Sequence, residues 1–229
     1  MDPAIGRFTT MDPMAEKKPW LTPYHYCSNN PVNRIDLDGK DDFKYSNLGQ
    51  IIRVSNTKNN GSKVDRLYAK DGSYITVTDK EFLPGLITPS VHGTRKFTQK
   101  TIYLDDAIKV FKHAAENTDK EWGLDIYKKG DEKYAVIATK MDPQAVQMTN
   151  EDNKDSEHLV DLHSHPRKDG TRGGSPNDMN NVKYNEKKAH KIAVFHPYDG
   201  KLYEYTEKKS QSAVIDAQIY EQILDYITK

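Results

Sequence analysis

The sequence holds a single cysteine, Cys27, among 229 residues. No disulfide can form within the chain, and neither a Cys-rich zinc ribbon nor the Cys pair of a zinc deaminase can be built from it. Any metal bound here must be held by His, Asp and Glu. A charge imbalance is also missing: Lys+Arg and Asp+Glu number 34 each. No overall basic charge draws the chain to nucleic acid or to an acidic membrane surface, so neither is expected as a partner. No apolar run approaches the roughly 18 residues of a membrane-spanning helix. The opening "MDPAIGRFTTMDPM" lacks the basic-then-apolar start of a signal peptide, and none is expected.

What the sequence does have is polarity, with 35% hydrophobic and 30% charged residues. The length allows one or two domains with a real core. Three zones differ in character. Residues 1–40 are turn-rich: Pro3, Pro13, Pro19, Pro23 and Pro31 leave no room for a long helix around Trp20, Tyr24 and Tyr26. By composition the segment could be a plain linker.

Residues 41–99 are strand-like. "YSNLGQIIRV" (45–54) and "YAKDGSYITV" (68–77) both fit Tyr-x3-Gly-x2-Ile-x-Val. Tyr, Ile and Val favour strands, and glycine at a fixed offset marks a turn, so two short hairpins are expected. From 100 onward a compact α/β pattern follows. "TIYLDDAIKVFKHAAENT" groups Ile102, Leu104, Ala107, Ile108, Phe111 and Ala115 near one helical face. "EWGLDIYKKGDEKYAVIATK" reads as two strands around a Lys-Lys-Gly-Asp turn, and "HLVDLHSHP" as a third strand ended by proline. "SPNDMNNVKYNEKK" starts a helix, "KIAVFHPYDGKLYEYT" is a hairpin over Asp199-Gly200, and "AVIDAQIYEQILDYI" reads as a closing amphipathic helix.

The chemistry sits at "DLHSHPRKDGTRGGSPND", residues 161–178. His163 and His165 alternate on the third strand, so both side chains leave one face, about 6.6–7 Å apart along it. Ser175-Pro176-Asn177-Asp178 has Ser at a cap, Pro at the first helical position and an acid at the third. Alone, that is ordinary capping chemistry, and a lone His-x-His is a turn or surface pair. Together, the helix start returns to the strand end with a carboxylate as third ligand. Two His and one Asp with an open fourth position is the pattern of a catalytic zinc site.

Two resemblances follow from these residues. "DPAIGRFTTMDPM" and "PYHYCSNNPVNRIDLDG" resemble the RHS repeat-associated core, over essentially all of residues 1–40. The two Tyr-Gly-Ile-Val repeats are similar to the Tyr-Asp repeats of RHS shells; they would hold a toxin against its cage or serve as a spacer. The family's cleavage region typically reads Asp-Pro-x-Gly-Leu where this sequence reads Asp36-Leu37-Asp38-Gly39-Lys40, without the Pro and the Leu, which leaves self-cleavage at this point open. The resemblance implies the tail of a longer polypeptide whose variable end is a toxin. It further implies a secreted effector of interbacterial competition, delivered by a route such as type VI secretion and acting in the target cytoplasm. The implied partners are the RHS shell of the same polypeptide and a cognate immunity protein.

His-Ser-His-Pro followed by Ser-x-x-Asp resembles the JAMM motif of the JAB/MPN metalloenzymes, with the order of elements matching over roughly 100–205. What this implies is one zinc ion on His163, His165 and Asp178, and Ser175 supporting a developing oxyanion. The family's upstream glutamate, which activates water, falls on Glu121 of "EWGLDIY", one residue nearer its glycine than in many relatives. Glu157 would lie about 20 Å from His163 along their strand, Glu132 falls in the hairpin turn, and Glu116 belongs to a helix used for packing. The nine residues between His165 and Ser175 are slightly more than is usual and Gly-rich.

The expected fold is therefore α/β (α+β): a JAB/MPN-like, cytidine-deaminase-like mixed sheet flanked by helices over 100–229. It is preceded by an RHS-core segment (1–40) and a β-hairpin linker region (41–99). The expected activity is zinc-dependent hydrolysis of peptide or isopeptide bonds in a protein or peptide of the target cell. "DLHSH" also opens PHP phosphoesterases, where Asp161 would join the histidines, but His190 and His196 are too few and too near the end for that barrel. A His-Asn-His-type nuclease lacks its second helix histidine here, and a catalytically dead binding module is disfavoured because all five positions are filled. His25, His92, His113 and His158 are assigned structural or exposed places.

Overall fold

The computed structural model describes residue 24 and residues 42–54, 64–87, 96–144, 155–166, 172–184, 189, 191–211 and 213–216. The RHS-like segment 1–40, Tyr24 aside, lies outside the described residues, as do His25, Cys27, His92, His190 and the loop centre 167–171. The architecture is mixed α/β, with two mixed sheets and few helices, in line with the expected class. Among the described residues no helix is long and apolar enough to cross a membrane.

Each sequence repeat is one hairpin: β1 (Asp42–Tyr45) with β2 (Ile51–Val54), and β3 (Asp65–Tyr68) with β4 (Tyr74–Val77). The repeated glycines make the turns, Gly49 at φ 82° and Gly72 at φ 88°, where a side chain would be strained. β1 also pairs with β3 in parallel, giving a four-stranded sheet in the order β2-β1-β3-β4. Phe43 lies opposite Leu67, one residue off the frame in which Tyr45 matches Tyr68. Successive strand residues face opposite sides, so this slip brings Phe43, Tyr45, Ile51, Leu67 and Val77 all into buried positions.

The second sheet has seven strands in the order β11-β10-β9-β8-β6-β7-β5. These are β5 (Phe97–Thr101), β6 (Trp122–Lys129), β7 (Glu132–Thr139), β8 (Glu157–Ser164), β9 (Lys191–His196), β10 (Lys201–Glu204) and β11 (Ala213–Asp216). Only β8 and β9, among these neighbours, run parallel. Glu132 opens β7 and so lies just past the turn in which the sequence placed it. β8 stops at Ser164, leaving His165 between the strand and Pro166.

Among the described residues the helices are α1 (Phe82–Gly85), α2 (Leu104–Asn117) and α3 (Pro176–Tyr184). α2 buries Ala107, Ile108, Val110, Phe111, Ala114 and Ala115. Ile102, expected on that face, precedes the helix and is 57% exposed. α2 touches β6 and β7 of the larger sheet and β4 of the smaller one. A single buried cluster therefore joins Phe43, Leu67, Val77, Phe82 and Leu83 to Phe111, Trp122, Leu124, Leu162 and Phe195. This core crosses the position between Gln99 and Lys100, which itself lies inside β5.

The closing helix expected over 213–227 is corrected at its start. Ala213–Asp216 form β11 and pair residue for residue with β10. The unpaired N–H and C=O groups along β10 favour a strand there, and Val214 and Ile215 suit one. Residues 217–227 lie outside the described residues.

Polar ties reinforce the shared core. Asp106 Oδ2 accepts the N–H groups of Thr78 and Asp79, both at 2.8 Å. Tyr45 Oη lies 2.8 Å from His113 Nδ1, with the rings stacked. Burial, opposed by Asp71 and aided by Lys112, pushes the His113 imidazole down from its ordinary 6.5 to about 4. The fold thus favours neutral His113. Its stabilisation is complete above pH 6.5 and is lost as pH falls toward 4, on the order of 3 kcal/mol. Thermal melts of wild type and His113→Asn should therefore diverge: both lose stability in acid, but the variant, which cannot ionise at 113, has the shallower decline between pH 6.5 and 4.

Candidate metal centre

Three elements converge at one end of the larger sheet. β8 carries His163 at its penultimate position, opposite Gly123 of β6 and beside Val194 of β9. His165 follows the strand yet keeps the ladder going, since its N–H donates to the Phe195 carbonyl at 3.0 Å. α3 begins with a reciprocal cap: Ser175 N–H donates to Asp178 Oδ2 (2.7 Å) and Asp178 N–H donates to Ser175 Oγ (3.3 Å).

The result is a small triangle of ligand atoms. His163 Nε2 and His165 Nε2 are 3.2 Å apart, and Asp178 Oδ2 lies 3.4 Å from the first and 3.6 Å from the second. Ligand bonds of about 2.0–2.2 Å at tetrahedral angles separate donors by roughly 3.3–3.6 Å. The three atoms therefore fit one face of a tetrahedral site. Two imidazole nitrogens and a carboxylate oxygen suit zinc in chemistry as well as in spacing. Among the described residues, these three offer ligand atoms within 4.8 Å of one another.

The electrostatics are those of a pocket for a cation. Burial alone would lower the His163 imidazole, but its bond to Asp178 and the charges of Asp178, Asp161 and Glu121 lift it to about 9. Burial likewise acts to raise Asp178, and the two histidines and Ser175 overcome it and hold that carboxyl far below its usual range. Both histidine rings are buried, whereas the Asp178 side chain is 20% exposed.

Glu121 sits one residue before β6 and is buried. Its N–H donates to the Asp142 carbonyl (2.8 Å), and its carbonyl accepts from Thr139 Oγ1 (2.8 Å). The next residue, Trp122, donates its N–H to Ser164 Oγ at 3.0 Å. Ser164 lies between the two histidines, so the glutamate's backbone is tied to the ligand strand. Burial raises the Glu121 carboxyl, while the nearby charges of His163 and His165 pull it back and those of Asp178 and Asp142 add to the rise. A carboxyl so placed can hold or release a proton beside the triangle.

Glu157, by contrast, opens β8 at its far end, and Glu116 lies on the exposed side of α2, paired with Lys112. All five residues singled out by the sequence thus lie at or beside one site. Residues 100–183 match the family model of JAB-like toxin 1. The JAB-like toxin match contains Glu121, His163, His165, Ser175 and Asp178. The chain is also similar to salivary gland surface protein 1 of Aedes aegypti, at 51% identity over 39 residues, which is 17% of this chain and 1% of that protein's length. No solved structure matches.

Sequence reasoning missed the polar file behind this triangle. Asp161 lies directly across from Asp125 on the neighbouring strand. Asp125 Oδ1 is 2.8 Å from His158 Nε2, and His158 stacks on Tyr127. Burial first, then Asp125, raises the Asp161 carboxyl, against the pull of His163 and His158. The available signal was the two-residue step from Asp161 to His163, but the register that brings in Asp125 is long-range. Protein purified in zinc-containing buffer should carry about one equivalent of metal, and His163→Ala with His165→Ala should reduce it to background by elemental analysis. An unchanged content in the double variant would remove the site.

Proposed function

We propose that this chain is the C-terminal toxin of an RHS polymorphic toxin, and that its JAB-like domain is a zinc-dependent hydrolase of peptide or isopeptide bonds. The observation that carries the reading is the triangle of His163, His165 and Asp178 with a buried glutamate beside it. The substrate is a protein or peptide of a target cell, reached by delivery and cut in its cytoplasm. The RHS shell of the same polypeptide and a cognate immunity protein are the partners this reading requires.

His163, His165 and Asp178 would hold zinc, which when bound would supply a Lewis acid to acidify water and polarise a carbonyl. The protein does the rest. Glu121, raised by burial, takes a proton from the attacking water and hands it to the departing amine. Ser175 Oγ accepts the Asp178 N–H as a cap, which uses a lone pair and leaves the hydroxyl proton available to an oxyanion. Asp178 is held by Ser175 N–H, so the cap and the ligand position are set together. No thiol takes part, in keeping with the single Cys27.

Glu121→Gln keeps the shape and removes the proton acceptor. Expressed inside a susceptible bacterium, it should lose toxicity, as general acid–base groups contribute about 100- to 10,000-fold in rate. Zinc content and melting temperature should barely move. Ser175→Ala should lose roughly 100- to 1,000-fold, as for a single oxyanion donor, and also about 1 kcal/mol of stability with the cap. New protein termini in the target cell, read by mass spectrometry, identify the bond. Wild-type toxicity in Glu121→Gln, with zinc still bound, would mean that the protein kills without this hydrolysis.

A further inference from the structure

Between His165 and Ser175 the chain leaves the sheet and comes back, and its return is fastened to residues far along the sequence. Gly174 N–H donates to the Ser210 carbonyl at 2.8 Å, and Ser210 Oγ donates to the Gly174 carbonyl at 2.7 Å. A Cβ on Gly174 would overlap the ring of Tyr205, and one on Gly173 would overlap the Ser210 carbonyl. Neither glycine has a positive φ, so what the position demands is room, not backbone freedom. Just before them, Arg172 Nε donates to Asp199 Oδ2 at 3.0 Å, the oxygen that also accepts from Tyr203 Oη at 2.6 Å. Tyr205 is 5% exposed and meets the His163 ring edge-to-face, with centroids 5.9 Å apart at 84°.

These contacts give both arms of the metal triangle one common reference. His165 is set by its N–H to Phe195 of β9. Gly174 is set by Tyr205 and Ser210, which follow β10, and β9 and β10 pair from Ala193–Glu204 to His196–Lys201. The residue after Gly174 is Ser175, whose N–H holds Asp178 Oδ2. The distance between carboxylate and imidazoles is thus fixed through the β9–β10 hairpin.

We propose that Gly174, Tyr205 and Ser210 form a clamp that seats Asp178 against His163 and His165, with Tyr205 and Ser210 as positioning residues for the metal. The inference rests on the zinc reading above and adds to it the device that sets the site's geometry. A shift of a few tenths of an ångström at Gly174 passes through Ser175 to the carboxylate, and groups that orient metal ligands typically change affinity by roughly 10- to 100-fold.

The test uses the full chain, with zinc affinity measured by chelator competition and site geometry by the visible absorption of the cobalt(II) form. Gly174→Ala should bind zinc roughly 10- to 100-fold more weakly than wild type and shift the cobalt bands. Ser210→Ala removes one hydroxyl-to-carbonyl hydrogen bond at an exposed residue, so its metal-free melting temperature should stay close to wild type while zinc affinity falls about tenfold. Ser210→Thr, which keeps the hydroxyl, should restore it. If Gly174→Ala does not fold, the Ser210 pair decides alone. A folded Gly174→Ala or Ser210→Ala that binds zinc as tightly as wild type overturns the clamp and leaves the metal reading standing. Absence of zinc binding by the wild type overturns both.

Discussion

The oxygen Asp178 Oδ2 is within reach of Ser175 N–H, His163 Nε2 and His165 Nε2 together. Gathering two buried imidazoles and a carboxylate within 3.6 Å of one another is costly unless a proton or a cation is shared among them. The fold supports the arrangement from three directions. The β8–β9 ladder extends past the end of β8 to hold His165, the α3 cap holds Asp178, and Ser164 holds the backbone leading to Glu121. Removing one support would relax a spacing that the other two cannot restore.

Behind this end of the sheet, α2 serves as a wall shared by both sheets. Its apolar face meets β6 and β7, while β4 packs on it from the other sheet. The Tyr45–His113 contact and the Asp106 carboxylate bind the hairpin region to the same helix. The strands that present the site therefore rest on a core to which residues before 100 contribute large buried side chains such as Phe43, Leu67 and Phe82.

The locally encoded parts of the site were readable in the sequence. Within the strand-like run "HLVDLHSHP" the two-residue histidine step reports a strand face, and Ser-Pro-x-Asp reports a helix start. The hairpin glycines, Gly49 and Gly72, were legible for the same reason. Glu121 came from the resemblance to the JAMM motif, and the structure places it one residue before β6. What stayed hidden depends on long-range register. Asp125 faces Asp161 only because of how β6 pairs with β8, and Phe43 meets Leu67 only through a one-residue slip that the repeat does not announce. Ser210 reaches Gly174 across 36 positions, with no composition signal at either end. The segment from Ala213 has apolar residues that suit either a helix or a strand. The free edge of β10 decided it, and a single-sequence reading cannot see an edge.

Zinc-edge X-ray absorption on the purified chain tests most directly whether His163, His165 and Asp178 with one open position form a tetrahedral metal site. The spectrum should show a four-coordinate shell of nitrogen and oxygen at about 2.0–2.1 Å, with outer-shell scattering from two imidazoles. A six-coordinate shell, or scattering from fewer than two imidazoles, would contradict it.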